Sequence, residues 1–255
     1  MVSRRWALFL VVVIVLAWGA VQLGEWQFRR LEQRRDRNAQ IERNESLPPA
    51  PVADVLKVGT APAAEQEWRV VEAVGTYAAE DTVIVRYRTN GGEPGVQAVV
   101  PLVLADGAAV LVDRGWWPTA NRGEVPDDLP DPPSGEVTIT GWVRLDATGD
   151  STKVTDQSTR AISSSEIGAA LQRDLYGGFV SASSESPEPH AQLTRTELPE
   201  LNEGPHFFYG LQWWFFGALA VFGFCYLLFD EWRDRKRERQ QPGSQAPAEP
   251  GEPAS

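Results

Sequence analysis

The chain has 255 residues, 35 acidic against 24 basic side chains, a formal net charge of −11 and a 42% hydrophobic composition. One cysteine excludes an internal disulfide framework or a Cys-x-x-Cys redox or zinc site, and two histidines exclude a His-rich metal centre. The acidity argues against a nucleic-acid partner. These averages describe a soluble acidic protein, and they mislead, because the apolar residues are concentrated towards the two ends.

Residues 6–23 carry no charge, and neither do residues 207–229. A bilayer core of roughly 30 Å needs about twenty helical residues, so both read as transmembrane helices. Trp6, Trp18 and Trp26 bracket the first; Tyr209, Trp213, Trp214 and Trp232 mark the second, as interfacial aromatics do. A cleaved signal peptide is the alternative for the first run, with Ala17-Trp18-Gly19 as its small-residue site. The run exceeds a usual signal core and continues into helical, charge-paired sequence, which favours an uncleaved anchor. Arg233, Arg235, Lys236, Arg237 and Arg239 follow the second span, which places the C-terminus inside. Two spans then put residues 1–5 and the tail 230–255 in the cytoplasm and the middle outside it.

Residues 24–66 read as an amphipathic exit segment and a Pro/Ala-rich linker, with one helical turn at Ala53–Lys57. Asn44-Glu45-Ser46 fits the short N-glycosylation pattern. Residues 67–206 form the extracytoplasmic domain. Strand signals fall at Trp68–Val74, Thr82–Arg88, Gln97–Leu104, Ala109–Asp113, Val137–Leu145 and Gly178–Ser183, with Asp106-Gly107 centring a hairpin. A Pro/Asp-rich loop covers Val125–Ser134. Ser165–Leu175 alone reads as a helix, with Ser165 as its N-cap. The pattern predicts a mainly antiparallel β barrel or sandwich carrying one helix. Residues 44–206 hold 25 acidic and 11 basic side chains, so the net acidity lies in this middle region. It serves solubility or repels anionic headgroups. The tail Gln240–Ser255 has the composition of a disordered segment.

No nucleophile elbow, P-loop, HExxH or dinucleotide fingerprint is present, which argues against an enzyme. Cys225 reads as a small packing residue and His190 as an exposed loop residue. Three constellations stand out. Gly24, Trp26, Gln27 and Arg30 sit where the first span ends, with Arg34 on the face of Arg30; ordinary interface anchoring explains them as simply as a site does. Arg114, Gly115 and Trp116 follow Val112-Asp113 at a strand end. There Arg114 pairs with Asp113 or another carboxylate or stacks on an indole, as a buried structural arginine or as part of a binding surface. His206, Tyr209 and Trp213 fall on one helical stripe entering the second span, with Gln212 one residue off it. Such a histidine bonds headgroups or ligates haem iron.

In this order, these blocks resemble the Surfeit locus protein one family of cytochrome oxidase assembly factors. The membrane-exit pattern Gly-x-Trp-Gln-x-x-Arg is Gly24 to Arg30, with Arg34 beyond. Gly-x-Tyr is Gly75 and Tyr77, a Val-rich run joins Gly95 to Pro101, and Val-Asx-Arg-Gly-aromatic-x-Pro is Val112 to Pro118. Gly141 to Arg144 and then His206, Tyr209, Gln212 and Trp213 complete the series. The chain departs from the pattern in Asp113, where Asn is common, and in the Gly204-Pro205 spacer; residues 146–195 align with no block. The resemblance implies a non-enzymatic factor that assists delivery or insertion of haem a into the largest oxidase subunit. His206, Tyr209, Gln212 and Trp213 would contact the haem, with haem a synthase a further partner alongside membrane lipid. A membrane-anchored accessory module that handles no cofactor is the alternative. Arg outnumbers Lys by 21 to 3 and no transit peptide precedes the first span, so a bacterial plasma membrane is expected over a mitochondrial one.

Overall fold

The computed structural model describes residues 4–120 and 126–240, with side chains through Arg237. Residues 1–3, Val125 of the expected loop and the tail 241–255 lie outside the described residues. In chain order the elements are α1 (Arg4–Ser46), β1 (Ala50–Pro51), α2 (Val52–Val55), β2 (Val70–Tyr77), β3 (Val83–Asn90), β4 (Glu93–Leu104) and β5 (Ala109–Pro118). β6 (Glu136–Arg144), β7 (Ser158–Thr159), α3 (Ser164–Leu171), β8 (Leu175–Ser186) and α4 (His206–Gln240) follow. They form two compact units: the terminal helices, up to Asp36 and from Asn202, and the stretch Arg37–Leu201.

In the helical unit, α1 runs well past the expected 6–23. Residues 24–46 favour helix, and the chain leaves it just before Pro48-Pro49, which cannot continue one. Its less exposed positions over the apolar stretch include Val13, Ala17, Ala20, Gly24 and Gln27; on α4 they include His206, Gly210, Trp213, Gly217, Ala220 and Phe224. Both series alternate steps of three and four, the spacing of a helix-pair seam. Small residues dominate it, so the backbones approach closely, as in helices that associate in lipid. Away from the seam both helices remain apolar: Leu8, Ile14, Trp18, Phe208, Phe215, Phe222 and Phe229 are all exposed. Both are long and apolar enough to cross a membrane.

In the second unit the last turn of α1 is anchored by Ile41, which is buried, and by Asn44, whose Nδ2 donates to the carbonyls of Glu65 (2.8 Å) and Glu67 (2.7 Å). This buried amide is committed to the fold rather than displayed as a glycan acceptor. Eight strands form one sheet in the order β1-β2-β6-β8-β5-β4-β3-β7. A further antiparallel pairing of β2 with β4, Gly75 opposite Leu104, joins β2, β6, β8, β5 and β4 into a ring. In that ring β2, β4 and β5 are antiparallel neighbours and β6 returns beside β2, the Greek-key arrangement. A Cβ at Gly75 would strike the Val103 carbonyl oxygen, so glycine is what lets the ring close.

The sheet is mixed rather than purely antiparallel: β1 with β2, β3 with β7 and β5 with β8 run parallel. The β5–β8 pairing follows from topology, because β8 fills the gap that β6 leaves beside β5, and α3 lies in the connection that turns the chain. Inward residues build the core from Val71, Leu102, Val110, Val112, Ile139 and Val180, as period-two alternation requires. A second apolar cluster, with Val85, Val99, Leu111, Ile162 and Ile167, covers the outer face of β4 and β5. The N-cap of α3 is Ser163, whose side chain accepts from the Glu166 N–H, not Ser165. The strand expected from Trp68 starts at Val70, since Trp68 has φ +69° and cannot continue a ladder.

Candidate functional site

In the helical unit the exit motif of α1 faces the entry motif of α4. Gly24 takes the Trp214 indole; a Cβ there would clash with the ring edge, 2.3 Å from Cδ1 and Nε1, and lie 3.3 Å from the Gly210 carbonyl. Gly210 in turn admits the Phe28 ring, which packs tilted against Trp214 with centroids 4.9 Å apart. Beside these aromatics, the Nδ1 of His206 lies 2.8 Å from the Oε1 of Gln27. A carbonyl oxygen only accepts, so Nδ1 is the donor, and in the neutral ring Nε2 carries the lone pair. Half-burial of both residues holds the imidazole in this orientation. Two turns along, Arg35 donates from Nε and Nη2 to the two Glu203 oxygens, each at 2.8 Å. This bond raises the Arg35 pKa and lowers that of Glu203, each through the hydrogen bond first. Both side chains are exposed, so the pair orients more than it stabilises.

The second motif builds a buried charge cluster inside the barrel. Val110, Val112 and Arg114 share the inward parity of β5, and Arg114 is 1% exposed. Its Nε donates to Glu185 Oε1 at 2.9 Å, and the Tyr77 hydroxyl donates to the same oxygen at 2.6 Å. Arg195 approaches Glu185 at 3.8 Å, and Arg114 Nη1 donates to the Pro130 carbonyl at 3.2 Å. Burial, reinforced by the Glu185 charge, pushes the Tyr77 hydroxyl pKa upward. Arg114 is the extra residue of a β-bulge: Val99 pairs with Asp113 and Ala98 with Gly115. Gly115 adopts φ +129°, and a Cβ there would come within 2.6 Å of the Thr194 carbonyl oxygen. That oxygen accepts from the Trp116 N–H at 2.7 Å, so glycine lets this strand end be crossed. On the outer side Asp113 accepts from the Gly115 N–H (3.1 Å) and from Gln97 Nε2 (3.2 Å). Its carboxyl is pushed up to about 6, chiefly by burial.

The SURF1 family model matches residues 14–218. Uncharacterized SURF1-like proteins of Mycobacterium bovis and Mycobacterium tuberculosis are each 31% identical over 249 residues, covering 96% of this chain and 90% of theirs. The chain belongs to the SURF1 family. In this SURF1-family chain the exit and entry motifs, 179 residues apart in sequence, meet through Gln27 and His206.

Not every residue singled out joins them. Tyr209 is 47% exposed and Gln212 is exposed, both off the seam. The seam advances four residues from His206, so Gly210 takes the place expected of Tyr209, and Trp213 follows at half-burial. Trp26 faces outward, its ring 5.7 Å from the Arg30 guanidinium carbon. Arg35, rather than Arg30 or Arg34, makes the ion pair to Glu203, three residues before α4. Arg114 pairs with Glu185 and lies over Tyr77, not on Asp113 or an indole. Glu185 escaped sequence reasoning because it lies in a serine-rich run. The available signal was an arginine on an inward strand parity, which demands a buried carboxylate.

Proposed function

We propose that this SURF1-family protein is a membrane-anchored, non-enzymatic assembly factor for haem-copper cytochrome c oxidase, assisting transfer of haem a to the largest subunit. Both terminal helices cross the plasma membrane with the two chain termini in the cytoplasm, and Arg37–Leu201 is extracytoplasmic, in keeping with the basic residues that follow the apolar part of α4. Haem a is the cargo, and His206 is its contact on this chain. The carrying observation is the 2.8 Å bond from His206 Nδ1 to Gln27 Oε1. In the neutral ring it would leave Nε2 free to ligate haem iron, and it supplies the outer partner that haem- and metal-binding imidazoles use for orientation. Trp213 lies on the same seam, while Tyr209 and Gln212 on the outer face are available to the recipient subunit.

The test is titration of the detergent-solubilised full chain with haem a, read at the Soret band. Wild type should bind saturably, His206→Ala at least tenfold more weakly, and Gln27→Leu more weakly as well through loss of orientation. Absence of a saturable Soret change in wild type would remove the haem contact. The assembly role is tested separately by deleting the gene, which should lower haem-a-containing oxidase and spare other membrane complexes; unchanged oxidase spectra would refute it. Stoichiometric copurification with mature oxidase would replace it by a permanent accessory module.

A further inference from the structure

The outer face of the barrel carries a polar cleft that the haem reading does not use. On β5 the outward positions Ala109 and Leu111 pack into the outer apolar cluster; the next, Asp113, stands opposite Ser181 of β8. Here the apolar face gives way to a polar cleft of two adjoining cavities, about 220 Å³ and 440 Å³, that share Arg88, Gln97 and Thr196.

Among the buried groups of this cleft the hydrogen bonding is one-sided, while the Glu197 carboxylate lies exposed at its rim. Asp113 is satisfied, accepting from the Gly115 N–H, Gln97 and Thr196. Arg144 is held by Glu67 and lies over the Trp68 ring at 3.9 Å, and Arg195 is held by the Ser183 carbonyl. Three groups have no protein partner among the described residues: Arg88 Nε, the Ser181 hydroxyl and Trp116 Nε1. All three donate, and Ser181 is 1% exposed. Arg88 makes no ion pair among the described residues; its charge faces Asp113 without contact. Buried donors without acceptors are costly in a folded protein, and a guanidinium is matched by two coplanar oxygens. Asp113, close by, disfavours a doubly charged guest. The wall formed by Ala147, Ile162 and Phe179 is apolar.

We propose that this cleft binds an organic monocarboxylate, its oxygens on Arg88 and Ser181 and its apolar body against Ile162 and Phe179. The carboxylate belongs to a small free acid or to the C-terminus of a peptide, and the two are separable. The full chain in detergent is titrated calorimetrically with hexanoate and with N-acetyl-Ala-Leu bearing a free C-terminus, and with hexanoate methyl ester as the uncharged control. At least one carboxylate should bind saturably and the ester should not; the tighter of the two identifies the source. Arg88→Gln should weaken binding at least tenfold and Ser181→Ala several-fold, the latter removing one hydroxyl without touching a charge. His206→Ala should leave this binding unchanged, so failure here and failure of the haem reading are distinct results. The proposal is overturned if neither carboxylate binds, as when water alone satisfies the donors, if the ester binds equally, or if both variants bind as wild type.

Discussion

Replacing Arg114 by methionine tests whether the charge cluster holds the barrel together. The substitution removes the cation 2.9 Å from Glu185, both side chains being no more than 2% exposed. Removing one member of a buried pair costs about 3–5 kcal/mol, because the remaining charge stays desolvated. Two groups survive near Glu185: the Tyr77 hydroxyl at 2.6 Å and Arg195 at 3.8 Å, the latter a quarter exposed. They place the loss near the lower end, about 3 kcal/mol, a factor of roughly 150 in the opening equilibrium. Hydrogen exchange of the full chain in detergent, read at the amides of β5 and β8, measures that loss directly. Arg114→Met combined with Glu185→Met removes both charges and should recover only part of the loss, since an apolar replacement of a whole buried pair is often neutral but the Tyr77 hydroxyl loses its acceptor. A single variant that loses less than about 1 kcal/mol, or a double variant as weak as the single, would refute the assignment.

Two further outcomes follow from the packing and from Asp113. Gly24→Leu should drive α1 away from the Trp214 indole, lowering oxidative cross-linking between cysteines placed at Ala20 and Gly217 in a Cys225→Ser chain; an undiminished yield would mean the seam is elsewhere. Asp113 has a native pKa of about 6 against an ordinary 3.8, so the fold favours its neutral form. Its contribution is therefore full below about pH 4 and is lost as pH rises through 6, a decline of about 2–3 kcal/mol. Exchange at β5 across that window should show the decline in wild type and a flatter profile in Asp113→Asn.

The local sequence signals located most elements to within a few residues, because alternation and uncharged runs are read without knowing the partner. They did not fix pairing. The parallel contact of β8 with β5 depends on which gap the return of β6 leaves, and hairpin signals are silent on that. Register shifts also escape the sequence: between Thr140 and Gly141 on β6, one extra residue of β8 changes its parity, so Glu185 rather than Ser184 points to Arg114.

The same division applies to the site. By itself the sequence determined two uncharged terminal runs, an acidic strand-rich middle and motifs distinctive enough to mark the family, because each of these is a property of composition and short-range order. Only the tertiary structure decided that Gln27 orients His206, that Gly210 displaces Tyr209 from the seam, and that Arg114 looks inward to Glu185 while its neighbour Asp113 faces an outer cleft. Each of those facts depends on residues far apart in the chain being brought within a few ångströms by packing.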